Sequence, residues 1–140
     1  MRSSIAWVLS SALIVVPGLA LARKSPVALA EVHAPARGNL QTSAVRATVE
    51  EELGALDLAG AKKSAILTVS VVRLESVATP KGVETTCVVS ATLRTEGGQA
   101  LLAVLEGHAK ALGTGAPSLE RAALRGAVHG AVARIPEALK

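Results

Sequence analysis

From Thr85 to Leu112 the chain repeats apolar and polar side chains with a period of two, which only an extended strand can place on two separate faces. In its first half, Cys87, Val89, Ala91 and Leu93 share one side, while Thr86, Val88, Ser90, Thr92 and Arg94 share the other. Glu96-Gly97-Gly98 interrupts the pattern with turn residues. Beyond it, Glu106, His108 and Lys110 are all even-numbered, so Leu101, Ala103, Leu105, Gly107 and Ala109 should face the core. We read the stretch as a long β-hairpin around which the remaining elements are arranged.

Register follows from parity. Opposed residues in an antiparallel pair share a face, so odd must meet odd if both apolar sets are to be buried together. A two-residue Gly-Gly turn would mix the parities. We therefore expect an odd loop of three residues with Gly98 left-handed, Cys87 opposite Gly107, and Leu93 opposite Leu101.

The other elements complete an α+β pattern. Val27 to His33 alternates loosely, with Val27, Leu29 and Glu31 on one side, as a short first strand would. A helix capped by Thr42 or Ser43 carries Val45, Val49, Leu53 and Leu56 as one stripe. Its acidic triplet Glu50-Glu51-Glu52 fans around the helix, the arrangement of a solvated face. Ala65 to Glu75 is a strand with Leu67, Val69 and Val71 alternating, followed by the turn Thr79-Pro80-Lys81-Gly82. Ser118 opens the last helix, with Glu120 in its first turn and Leu124, Ala127, Val128, Ala131 and Ile135 as its apolar stripe. Gly126 and Gly130 on that helix permit close approach to the first helix or to the sheet, and Pro136 should fray or kink its end. The expected fold is α+β: a mostly antiparallel three- or four-stranded sheet with two helices on one face, in the order (β)αβββα.

Half of the 140 residues are hydrophobic, enough for one packed domain, yet Trp7 is the only aromatic. The core must then be Val, Leu, Ile and Ala. The net charge of +4 comes from scattered arginines, Lys62-Lys63 being the only basic doublet of the folded part. Without a basic cluster or stacking aromatics, nucleic acid is not an expected partner.

The amino terminus reads as an export signal. Arg2 precedes the apolar run Ile5–Val16, Pro17-Gly18 breaks it, and Ala20-Leu21-Ala22 presents small residues where a signal peptidase cuts. We assign residues 1–22 to a signal peptide, 23–41 to an amino-terminal segment with the short strand, and 42–140 to a single α+β domain. The sole cysteine, Cys87, allows no internal disulfide and leaves no lipid-accepting cysteine after the leader.

Chemistry is sparsely signalled. Cys87 is expected inward as a small apolar residue. His33, His108 and His129 show no metal-ligand spacing, and no metal or cofactor is expected. Glu106, His108 and Lys110 form a polar cluster on one strand face, which a nearby hydroxyl could turn toward general-base chemistry. The sheet face left free by the helices should carry Ile66, Val72, Leu74, Val88, Leu102 and Val104, an apolar set suited to a protein partner.

The expectation is thus an exported, non-catalytic binding or assembly module, in the periplasm or outside the cell. Its partner would be an envelope protein or a second copy, met through the open sheet face. Two alternatives stand beside it: a hydrolase-like enzyme centred on His108 and Glu106, and an envelope domain tethered to the membrane by an uncleaved leader.

Overall fold

The alternation from Cys87 to Leu93 does produce the central strand of the sheet. In the computed structural model, which describes residues 25–35 and 40–140, β3 (Gly82–Thr95) lies between β2 (Ala65–Thr79) and β4 (Leu101–Gly113). Both pairings are antiparallel. The first strand, β1 (Val27–His33), adds to the outer side of β2 in parallel, giving a four-stranded sheet in the order β1-β2-β3-β4. A parallel neighbour needs a crossover, and helix α1 (Thr42–Gly54) supplies it. Helix α2 (Ala116–Val132) returns over β3 and β4 and also packs on α1, so both helices cover one face. The fold is the expected α+β arrangement, with all four strands present. The leader assigned to residues 1–22 lies outside the described residues.

The core is the layer between sheet and helices. Leu67, Val69, Val89, Ala91 and Leu93 from the sheet meet Val45 and Val49 of α1 and Leu124, Ala127, Val128 and Ala131 of α2, all essentially inaccessible. Full burial of each Val or Leu stabilises by roughly 1.5–3 kcal/mol. Val27, Val32 and Leu40 are buried in the same core, so the strand before α1 is part of the folded unit. Ile135 and Leu139, on and just after the short α3 (Ile135–Ala138), close its lower end. The Leu139 carbonyl accepts from the backbone N–H groups of Lys62 and Lys63, which ties the carboxyl terminus to the loop entering β2.

Small residues let α2 sit against β4. A Cβ on Gly107 would run into the backbone carbonyl of Ala127. One on Gly126 would lie 2.8 Å from the Ala109 Cβ, and Gly130 faces the Gly107 Cα. The close approach expected of Gly126 and Gly130 is therefore made to the sheet, at β4.

Several local details differ from expectation. The first helix begins at Thr42, but Gln41 is its cap residue and only its carbonyl serves, accepting from Ala44 and Val45. The last helix starts at Ala116, two residues early, so Ser118 lies inside its first turn and donates to the Gly115 carbonyl. Glu120 is buried and sits beyond the first turn. Before Pro136 the helix ends outright, and the proline sits in the first turn of α3, where its missing N–H costs no bond.

The hairpin register is also two residues from the expected one. Cys87 lies opposite Ala109, Val89 opposite Gly107, and Leu93 opposite Ala103. Arg94 pairs with Leu101, and Thr95 N–H donates to the Ala100 carbonyl, so residues 96–99 form an even, four-residue turn with Gly98 at φ 74°. Odd still meets odd along the strand because Leu102 is an extra, unpaired residue between Leu101 and Ala103. The parity is restored by a β-bulge, not by the loop. As a consequence Leu101 turns outward and is 54% exposed.

Candidate interaction surface

Three bulges decide which side chains reach the uncovered face of the sheet. The first, at Ala30, turns Glu31 away from the core, against its expected side with Val27 and Leu29. The second, at Val72, reverses β2: Val71 pairs with Val89, but Arg73 pairs with Val88. From there even-numbered residues point toward the helices. Leu74, expected on the open face, lies opposite the buried Cys87 and packs half-buried against the core. Ser76 follows on the same side, its hydroxyl 2.8 Å from that of the fully buried Thr85. The third bulge holds Leu102, which also packs against the core and does not belong to the open face as expected. The corrected face retains Ile66, Val72, Val88 and Val104, and gains Leu101.

These apolar residues do not form one continuous patch. A polar row, His33–Ser70–Ser90–Glu106, crosses all four strands and separates Ile66, Leu101 and Val104 from Val72 and Val88. Val72, Leu101 and Val104 are each more than half exposed, whereas Ile66 and Val88 are half-buried by their neighbours.

The polar cluster of β4 lies on this face, near its free edge. His108 Nε2 is 2.9 Å from Glu106 Oε1, with Ser90 opposite the glutamate and Val88 opposite the histidine. Lys110 stands 3.7 Å from Glu84. The His108 and Glu106 side chains are 64% and 58% exposed. A second pair, His33 and Glu31 at 3.2 Å, occupies the opposite edge in the same exposed manner. Catalytic acid–base groups draw their strength from enclosure and desolvation. Neither pair has it.

Cys87 is buried, and burial pushes its thiol up to about 11, so no thiolate forms near neutral pH. Among the described residues no group of three or more metal-ligating side chains converges. Nor is any helix among them long and apolar enough to cross a membrane. The acidic triplet of α1 serves structure: Glu50 meets Arg46 at 3.8 Å, while Glu51 and Glu52 reach Arg125 and His129 of α2, each at 3.4 Å. That stitching of one helix to the other joins residues more than 70 positions apart, and no sequence signal announced it.

The two sheet edges differ. β1 is short and bulged, and Arg46 donates to the carbonyl of its unpaired Ala30 at 3.2 Å. β4 is 13 residues long, and nothing among the described residues pairs with its outer side. The described residues thus form a two-layer α+β module in which none of them covers the second sheet face or pairs with the outer side of β4.

No protein-family model and no curated protein matches the chain. Among solved structures it is similar to a candidate lipoprotein from Caulobacter crescentus, with a TM-score of 0.43 and 14% identity over 77% of this chain and 86% of that one. It is also similar to a minor lipoprotein from Acinetobacter baumannii, with a TM-score of 0.40 and 13% identity over 78% and 91% of the two chains. Likeness at this level leaves function to be argued from the chain's own residues.

Proposed function

We propose that this chain is an exported, non-catalytic binding or assembly module that meets a protein partner through the uncovered side of its sheet. The observation that carries the reading is the face itself: Val72, Leu101 and Val104 stand more than half exposed on it, and no helix among the described residues lies over them. Exposed apolar side chains on a rigid sheet offer contact area at little entropic cost. The Ser70–Ser90–Glu106 row between them supplies the polar contacts that set register with a partner. The solvent-exposed His108–Glu106 pair, without a cradle for a substrate, argues for binding over hydrolysis. Export, to the periplasm or beyond the cell, rests on the leader pattern of residues 1–22.

Two measurements test this. A photo-crosslinking residue placed at Val88 in the producing cell should give a discrete protein adduct, while the same residue at Arg121, on the helical side, should not. Absence of an adduct at Val88, or equal labelling at both sites, would overturn the reading. Amino-terminal sequencing of the exported protein should return Arg23 first; recovery of the intact leader would replace the free module by a membrane-tethered one.

A further inference from the structure

The free edge of β4 carries a pattern that is complementary to itself. Its outward-facing residues run Val104, Glu106, His108, Lys110, Leu112, all of them exposed. Turned antiparallel about His108, the strand meets its own copy residue for residue. Val104 falls opposite Leu112 of the copy, Glu106 opposite Lys110, and His108 opposite itself. Apolar meets apolar at both ends, at 57% and 53% exposure in the single chain, and opposite charges meet between them.

We propose that two copies of this chain join edge to edge through β4, forming one continuous eight-stranded sheet about a two-fold axis normal to it at His108. Four observations support it. β4 is an edge strand of 13 residues, and every second residue of such a strand directs its N–H and C=O away from its only neighbour. The opposite edge is short, bulged and capped by Arg46, so the two edges are not equivalent. Only one register satisfies the charges. A slide that sets Glu106 against His108 puts Lys110 against Val104, and the opposite slide sets Lys110 against His108 and Glu106 against Leu112. Finally, the residues that would face each other beneath the helices are small or medium: Leu105 with Ala111, and Gly107 with Ala109. Above Ala109 and Gly107 of this strand α2 presents Gly126 and Gly130, which have no side chains.

This inference goes beyond the reading of the open face, since it names a second copy as partner and the edge as the place. The Val88 adduct reports the face and the experiment below reports the edge, so either can fail alone. The alternative role for Glu106 and Lys110 is to keep the edge soluble by charge, in which case their signs need only remain charged.

The test is a charge swap in the exported full chain, read by sedimentation equilibrium over a concentration series. The unaltered chain should show a monomer–dimer equilibrium. Glu106→Lys alone, or Lys110→Glu alone, converts two symmetry-related attractions into repulsions and should weaken association roughly tenfold or more. The double variant Glu106→Lys with Lys110→Glu restores opposite charges at both positions and should recover dimerisation. Glu106 and Lys110 are both exposed, so folding, checked by circular dichroism, should not change. His108→Cys should cross-link to its own copy under oxidising conditions, whereas Thr92→Cys on the neighbouring strand should not. A monomer at every concentration, or a dimer indifferent to the single reversals, would overturn the proposal. So would failure of the double swap to rescue a weakened dimer.

Discussion

At the scale of single residues, the lone cysteine shows how burial overrides chemistry. Cys87 lies in the central strand with no accessible surface, and desolvation alone holds its proton on. Its ordinary value of 9.0 is raised to about 11 in the folded protein, so the unfolded chain releases the proton first as pH rises. The contribution to stability is therefore whole below pH 9 and is lost between pH 9 and 11. We expect the urea midpoint of the protein to fall across that window, and Cys87→Ala to remove part of the slope while losing about 1 kcal/mol at neutral pH through the small cavity it leaves. A native thiol that reacted with a disulfide reagent at pH 7.5 as fast as the unfolded one would contradict the buried assignment. The inward placement of Cys87 was legible from alternation alone. The partner residues of Glu51 and Glu52 were not, because an ion pair across 74 or 77 positions depends on how two helices are laid side by side.

At the scale of elements, the helices and strands were legible because each carries its own period over many residues. What alternation could not reveal was where a strand slips by one. The bulge at Val72 sends Leu74 to the helical side, and the bulge at Leu102 turns Leu101 outward and Leu102 toward the core. Each is a single unpaired residue, chosen by the fit of two strands to one another. The contact between α2 and β4 is the sharpest case of fit between elements. Gly107 admits the Ala127 carbonyl where any Cβ would collide with it, and the obstacle is backbone, which cannot rotate away. Gly107→Ala should therefore cost about 3 kcal/mol, at the upper end for overpacking, measured by chemical denaturation. Gly97→Ala, where a Cβ would meet nothing nearer than 4.0 Å, should change stability by no more than about 0.5 kcal/mol and serves as the control. Equal effects of the two would mean that α2 does not rest on β4 as described.

At the scale of the whole molecule, the strand before α1 belongs to the fold. β1 shields the outer side of β2 and contributes Val27 and Val32 to the common core, with Leu40 beside them. Losing three buried apolar side chains removes roughly 5 kcal/mol, a large part of the 5–15 kcal/mol typical of a domain. A chain beginning at Thr42 should accordingly melt at least about 10 °C lower than one beginning at Arg23, or lose its cooperative transition, as followed by circular dichroism. An unchanged melting curve would show that β1 is dispensable.

The sequence by itself determined the kinds of element, their order, the α+β class and the side of the central strand β3 that seeks the core, since periodicity and turn chemistry are local properties of the chain. It also determined the leader pattern. Only the tertiary structure decided the hairpin register, the three bulges, the passage of Leu74 and Leu102 to the covered side, and the contrast between a capped edge at β1 and a free one at β4. Those outcomes depend on strands and helices that are distant in the chain and must share one close-packed layer, where a shift of one residue exchanges inside for outside.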